Sequence, residues 1–236
     1  MTEAKMSLTA RERVRVELIG EIKTVARRHL AEHGSSALSL RAVARDVGMV
    51  SSAVYRYFPS RDDLLTAMIV DAYVAFGEAV MIGDATVRRS HYLDRWMAAT
   101  AAARAWARTN PQEYALIFGS PIPGYQAPTD TVDPAAIAPM ILLAIAADAS
   151  AAGRTLSVPT DRPVPRSVRS DLRRLAGVTA RDLDVAVMGR CLMAWTQVIG
   201  SISFELFGHL HNVIDDYDAY FAFQMRGIAL DLGWGG

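Results

Sequence analysis

The chain has 236 residues, 51% of them hydrophobic and 21% charged, which is enough apolar material for a sizeable core and excludes wholesale disorder. Its 25 basic and 25 acidic residues balance to a net charge of zero, which excludes a uniformly basic nucleic-acid binder but leaves room for a basic patch. A lone cysteine, Cys191, excludes an intramolecular disulfide. No apolar signal core follows Met1, and the longest uncharged apolar runs, 134–147 and 191–204, are 14 residues each. Spanning a bilayer takes roughly 20. These features point to a soluble, cytoplasmic protein with no membrane partner. The charge is unevenly spread. Residues 1–61 hold 11 basic and 6 acidic side chains, a balance of +5, whereas 62–236 hold 14 and 19, a balance of −5.

The periodicity is helical throughout, and no segment alternates with period two. Over 10–33, Val14, Leu18, Ile22, Val25, Ala26 and Leu30 form an amphipathic stripe, which Gly34 ends. Ser39 can cap a short helix over 40–47, ended by Gly48. A third helix is predicted over 51–58, stopped by Pro59. Ser60, with Asp62 and Asp63 in the first turn, opens a fourth helix that reaches about residue 80. Gly83 and Asp84 predict a weak break. Helices then follow over 91–108, 111–118 with Pro111 at its first position, 135–152, from 179 or 181 to 207, and 215–232. Residues 119–128 read as a rigid turn-rich loop. Residues 153–168, with Pro159, Pro163 and Pro165, read as a linker. The predicted class is all-α: a three-helix head over 1–61 and a larger helical domain over 62–236, joined by a linking helix at 60–80.

The informative stretch is 39–58. Helices of about eight residues are not stable alone and must be held by packing. Two of them across a tight glycine turn, on a longer first helix, form a helix-turn-helix. On the third helix, Val50, Val54 and Phe58 are predicted to face inward. Ser51, Ser52, Tyr55 and Arg56 face outward and offer hydroxyls, an aromatic edge and a guanidinium, groups that contact base edges or phosphates. Tyr57 and Arg61 flank them. Arg41 and Arg45 project from the second helix, whose N-terminus with Ser39 suits a phosphate. The partner predicted is double-stranded DNA with a palindromic operator, which a two-fold dimer would match.

From residue 38 to 65 the chain reads Leu-Ser-Leu-Arg-Ala-Val-Ala-Arg-Asp-Val-Gly-Met-Val-Ser-Ser-Ala-Val-Tyr-Arg-Tyr-Phe-Pro-Ser-Arg-Asp-Asp-Leu-Leu. This run resembles the DNA-binding signature of the tetracycline-repressor (TetR) family, strongly over about 10–80. It departs at Val50, where the family often has serine, and at Arg61, where it usually has lysine. Further on, the stretch 106–125, with Trp195 and 204–209, is similar to a subgroup whose C-terminal domain is named for a Trp-His-Gly pattern. The resemblance implies an all-helical homodimer with a DNA head, a C-terminal ligand domain and dimerisation through the last two long helices. It implies a transcriptional regulator, a repressor released by an effector, and no cofactor.

An apolar pocket is predicted between the helices at 91–108, 135–152 and 179–207 and the segment 111–128, with Trp96, Trp106, Tyr114, Phe118, Met140, Met193 and Trp195 as candidate walls for a small apolar ligand. Glu205 and His209 lie four apart, but spacing supplies no third ligand, so no metal is predicted. No catalytic motif appears: there is no Gly-x-Ser-x-Gly, no His-Glu-x-x-His and no phosphate-binding glycine loop. Cys191 is expected to be buried and inert. Two other classes stay open from the residues alone. One is an α-helical small-molecule binder or enzyme with an incidental basic head. The other is an architectural nucleic-acid binder without sequence discrimination.

Overall fold

A computed structural model describes residues 9–34, 38–154, 164–178 and 183–234. Ten α-helices occur among them: α1 (Ala10–His33), α2 (Leu40–Val47), α3 (Ser51–Val54), α4 (Arg61–Ala85), α5 (Tyr92–Thr109), α6 (Pro111–Phe118), α7 (Val132–Ala151), α8 (Arg166–Val178), α9 (Val185–Leu206) and α10 (Tyr217–Asp231). A single 3₁₀ turn, Thr129–Thr131, precedes α7. Among the described residues there is no strand, and the all-α class holds. The chain forms two compact units. One is the head, 1–71 with 120–129, and the other is the body, 72–119 with 130–236.

In the head, a capping box starts α1: the Thr9 side chain accepts from the Glu12 N–H at 3.2 Å, and Glu12 Oε2 accepts from the Thr9 N–H at 2.7 Å. The predicted stripe of α1 is buried only at Ile22 and Ala26, and Val14 is 53% exposed. Residues 10–17 are exposed on every side of the helix. His29, which the stripe did not include, is buried with its Nε2 2.7 Å from Asp46 Oδ2. A carboxylate can only accept, so the imidazole N–H donates. This bond pins α2 to α1, and with a second bond from Arg45 it holds the Asp46 carboxyl below its ordinary range. Gly48 has φ +76° and ψ 21°. That left-handed turn brings the Met49 N–H to the Ala44 carbonyl at 2.8 Å and lets α3 follow at once.

The head reaches further along the chain than residue 61. Leu64, Leu65 and Met68 on α4 are buried, and Asp71 accepts from Lys23 at 2.8 Å and from Arg27 at 3.2 Å. The loop at 120–129 belongs to the same unit, with the Tyr125 and Thr66 hydroxyls 2.9 Å apart. Ser60 caps α4 as expected, accepting from the Asp63 N–H at 3.1 Å.

The expected break at Gly83 is absent, and α4 continues to Ala85. A Cβ at Gly83 would lie 2.7 Å from the Ala98 carbonyl oxygen, so the glycine marks a close crossing of α4 and α5. Gly77 plays the same part against Ile137 of α7. The linker expected over 153–168 ends earlier, because α8 begins at Arg166; residues 155–163 lie outside the described residues.

The body core gathers Phe76 and Val80 of α4, Trp96, Ala99 and Ala103 of α5, Leu142 and Ile145 of α7, Val198 and Ile202 of α9, and Phe221 and Met225 of α10. By length and composition α4, α7 and α9 are each apolar enough to cross a membrane. In this fold the residues just named on those helices are buried against one another instead. Two buried arginines tie the body together. Arg95 on α5 holds Asp84 with two bonds of 2.7 and 3.0 Å and Asp148 of α7 at 2.9 Å. Arg104 holds Glu205 of α9 with bonds of 2.6 and 2.8 Å and Asp218 of α10 at 2.7 Å.

Candidate nucleic-acid interface

The third helix is shorter than its periodicity suggested. Regular α-helix ends at Val54, and the Arg56 and Tyr57 N–H groups bond three residues back, to Ala53 and Val54, at 3.2 and 2.9 Å. The Phe58 N–H then returns to the Val54 carbonyl, four residues back, at 3.0 Å, and the turn closes ahead of Pro59. Val54 and Phe58 are buried as expected, but Val50 is 70% exposed. It stands at the cap with extended backbone, ahead of the helix, so helical spacing does not govern where its side chain points. Neither it nor Ser51 caps the helix through a side chain.

Ser52, Tyr55 and Arg56 are exposed, and Ser51 and Tyr57 are half-buried. Arg41, Arg45 and Ser39 are exposed on and beside α2, and the Ser39 hydroxyl makes no capping bond. Arg45 is drawn to Asp46 at 3.2 Å, and Arg61 lies 3.4 Å from Asp62. Arg15 of α1 lays its guanidinium 5.3 Å from the centre of the Tyr57 ring. The head therefore packs α3 on α2, with Val43, Ala44, Val54 and Phe58 buried beneath the exposed groups.

The predicted pocket walls divide. Trp106, Phe118 and Trp195 surround Phe76, with ring centres 5.3, 5.4 and 6.3 Å from it, and Tyr114 meets Phe118 at 5.1 Å. Trp106, Phe118 and Trp195 are half-buried, whereas Tyr114 is fully buried with its hydroxyl 3.0 Å from the Ile199 carbonyl and 2.8 Å from Ser203 Oγ. Burial pushes the Tyr114 hydroxyl up to about 12, against the opposing bond from Ser203. The other three candidates lie elsewhere. Trp96 donates to the Met225 carbonyl at 2.8 Å and meets Trp234, Met140 packs beside Leu143 and Met188, and Met193 is 62% exposed. Phe76 was missed because it falls on the helix read only as a link.

Glu205 is occupied by Arg104, while His209 lies beyond α9 with its ring 5.0 Å from Phe204. Burial pushes the Cys191 thiol up to about 12, far from a reactive thiolate.

The outer face of α9 and α10 carries Met193, Phe204, Phe223 and Leu230, all exposed, with Phe223 at 74%. An open groove of about 530 Å³ runs between these helices and is lined in part by Gly200, Phe204, Tyr220 and Gly227. A Cβ at Gly200 or Gly227 would meet nothing within 4 Å. None of the predicted pocket walls lines this groove.

A short helix pair over a left-handed glycine turn, on a longer first helix, with hydroxyls, an aromatic and a guanidinium outward, defines a helix-turn-helix DNA-binding protein. Residues 22–68 match the family of bacterial regulatory proteins, tetR family, and residues 96–228 match the tetracyclin repressor-like C-terminal domain. The chain is 42% identical over 220 residues to the HTH-type transcriptional regulator Rv1816 of Mycobacterium tuberculosis and to Mb1846 of Mycobacterium bovis, covering 92% of each chain. Among solved structures it is similar to a regulatory protein, SCO4313, at 32% identity and a TM-score of 0.75, over 93% of this chain and 98% of that one. A protein of unknown function from Rhodococcus sp. RHA1 shares the fold at 18% identity and a TM-score of 0.70, over 98% of this chain and all of that one. The chain belongs to the TetR family of transcriptional regulators. Regulators of this family bind DNA and a ligand, dimerise, are not enzymes and are typically cytoplasmic.

Proposed function

We propose that this regulator is a cytoplasmic repressor that holds a pseudo-palindromic operator as a homodimer and leaves it when a small apolar ligand enters the body. The observation that carries the reading is the outward set of the recognition turn. Ser52, Tyr55 and Arg56 are exposed, and Arg56 and Arg41 have no carboxylate partner among the described residues. Unneutralised guanidinium groups beside a recognition helix suit phosphates and base edges. DNA binding falls to the head, with Ser39, Arg45, Ser51, Tyr57 and Arg61 at its margins.

Dimerisation falls to α9 and α10. Glycine inside a helix costs about 1 kcal/mol relative to alanine, and nothing among the described residues requires Gly200 or Gly227. Close approach of a second copy's helices gives both a purpose, and it covers Phe204 and Phe223. The effector region is the ring cluster of Trp106, Tyr114, Phe118 and Trp195 about Phe76. Its half-buried rings can part to admit an apolar molecule. Release then requires that the ligand bind one head spacing better than the other, with a coupling of about 1–3 kcal/mol.

The test is fluorescence anisotropy with DNA upstream of the protein's own gene, across a salt series, followed by a ligand screen for loss of signal. Binding at least about a thousandfold tighter than to unrelated duplex supports the reading. Equal binding to both, with steep salt dependence, supports an architectural binder instead.

A further inference from the structure

We propose that the first two turns of α1 form a second DNA contact, a phosphate clamp made by Arg11 and Arg15 alongside the recognition turn. The inference rests on the DNA-binding reading of the head. It starts from the geometry of one helix face. Ile22, Ala26 and His29 are the buried positions of α1, spaced four and three apart. The same face, continued toward the N-terminus at 3.6 residues per turn, passes through Arg15, seven positions before Ile22, and Arg11, eleven before. There the helix leaves its cover, because residues 10–17 are all exposed. The face is thus apolar where the protein covers it and doubly cationic where it does not.

Nothing among the described residues accounts for the two charges. Arginines four apart on a helix repel, and neither has a carboxylate partner among the described residues. The carboxylate nearest Arg11 along the helix, Glu12, is committed to the Thr9 N–H and hydroxyl at 2.7 and 2.8 Å. Its pKa is lowered by those same two bonds. The Val14 and Val16 side chains on the remaining faces are exposed as well.

The second observation fixes the direction. The Arg15 guanidinium lies over Tyr57, whose backbone follows Arg56 at the end of the recognition turn. The contact ties the outrun of α1 to the residue that directly follows Tyr55 and Arg56 in the chain. Stacking uses the flat face of a guanidinium and leaves its N–H edge for oxygen acceptors. An edge of N–H donors beside a recognition helix, backed by a second arginine one turn away, matches consecutive phosphates of a duplex. Contacts of this kind position the protein and carry no base preference.

The experiment uses the full chain and a duplex that it selects from a random-sequence pool, with a scrambled duplex as control. Each phosphate contact contributes about 0.9 to the slope of log affinity against log salt. Arg15→Ala is expected to reduce that slope by about 0.9, and the Arg11→Ala/Arg15→Ala pair by about 1.8. Both are expected to weaken selected and scrambled duplexes by the same factor. Arg15→Lys is expected to restore the slope although it loses the guanidinium's contact with the Tyr57 ring, which separates a charge contact from a purely structural role. An unchanged slope in both alanine variants, with unchanged far-UV circular dichroism and thermal midpoint, overturns the clamp. So does a loss confined to the selected duplex, which would make Arg15 a base reader. If the wild-type chain selects no duplex, the DNA-binding reading of the head fails and the clamp with it.

Discussion

The head and the body use the same side chain in opposite ways. In the body, Arg95 and Arg104 are buried, and each guanidinium is spent on two carboxylates from other elements. These pairs are cross-links between helices. The burial that would raise the Asp148 carboxyl is outweighed by bonds from Arg95 and Arg89, and its pKa falls below the usual value. In the head, Arg41 and Arg56 are exposed with no carboxylate opposite them among the described residues. Three acidic groups of the head are engaged elsewhere: Asp46 with His29, Asp71 with Lys23 and Glu12 with Thr9. An arginine count cannot tell the two uses apart. Pairing and burial can, and they locate DNA chemistry in the part of the molecule where positive charge is left over.

That contrast can be broken by substitution. The largest effect is expected at Arg95. Its removal in Arg95→Ala strands Asp84, leaves Asp148 with Arg89, and should cost about 3–5 kcal/mol of stability, read from urea unfolding. A loss below about 1 kcal/mol would mean the body's pairs behave like surface pairs. Arg56→Ala should do the reverse. Its unfolding midpoint stays within error of wild type, while operator affinity falls by about 1–3 kcal/mol if the side chain reads a base. Unchanged affinity in that variant removes Arg56 from the interface. The smallest effect tests the outer face of α9 and α10. Gly227→Ala should stabilise the isolated helix by about 1 kcal/mol and yet weaken self-association, measured by sedimentation equilibrium. A variant that is more stable and equally dimeric would place the dimer contact elsewhere.

Much of the head is readable from local chemistry. Ser60 with Asp63, Gly34, Gly48 and Pro59 act within a few residues of themselves, so their caps and turns follow from composition. The helical class follows from periodicity in the same way. Errors entered wherever a distant surface decides the outcome. Gly83 looks like a break, but it lies where Ala98 of another helix comes close. Val14 fits the stripe of α1, but nothing among the described residues covers that part of the helix. Arg11 and Arg15 fit the face of Ile22 and Ala26 in spacing, yet their polarity sets them apart from its apolar stripe.

The pocket walls show the same limit. Trp96, Trp106, Met140 and Met193 are alike in type and sit on helices correctly anticipated. One packs on Trp234, one on Phe76, one beside Met188, and one faces out. Periodicity assigns a residue to one side of its own helix, but only the packing of five or six helices determines what stands opposite. The family, the helix-turn-helix and the sign of the head's charge were therefore set by the amino-acid order, because they depend on neighbours in the chain. The ring cluster, the buried arginine ties and the open face of α9 and α10 were set by tertiary structure. Each joins residues from helices far apart in the chain, and no local rule encodes their meeting.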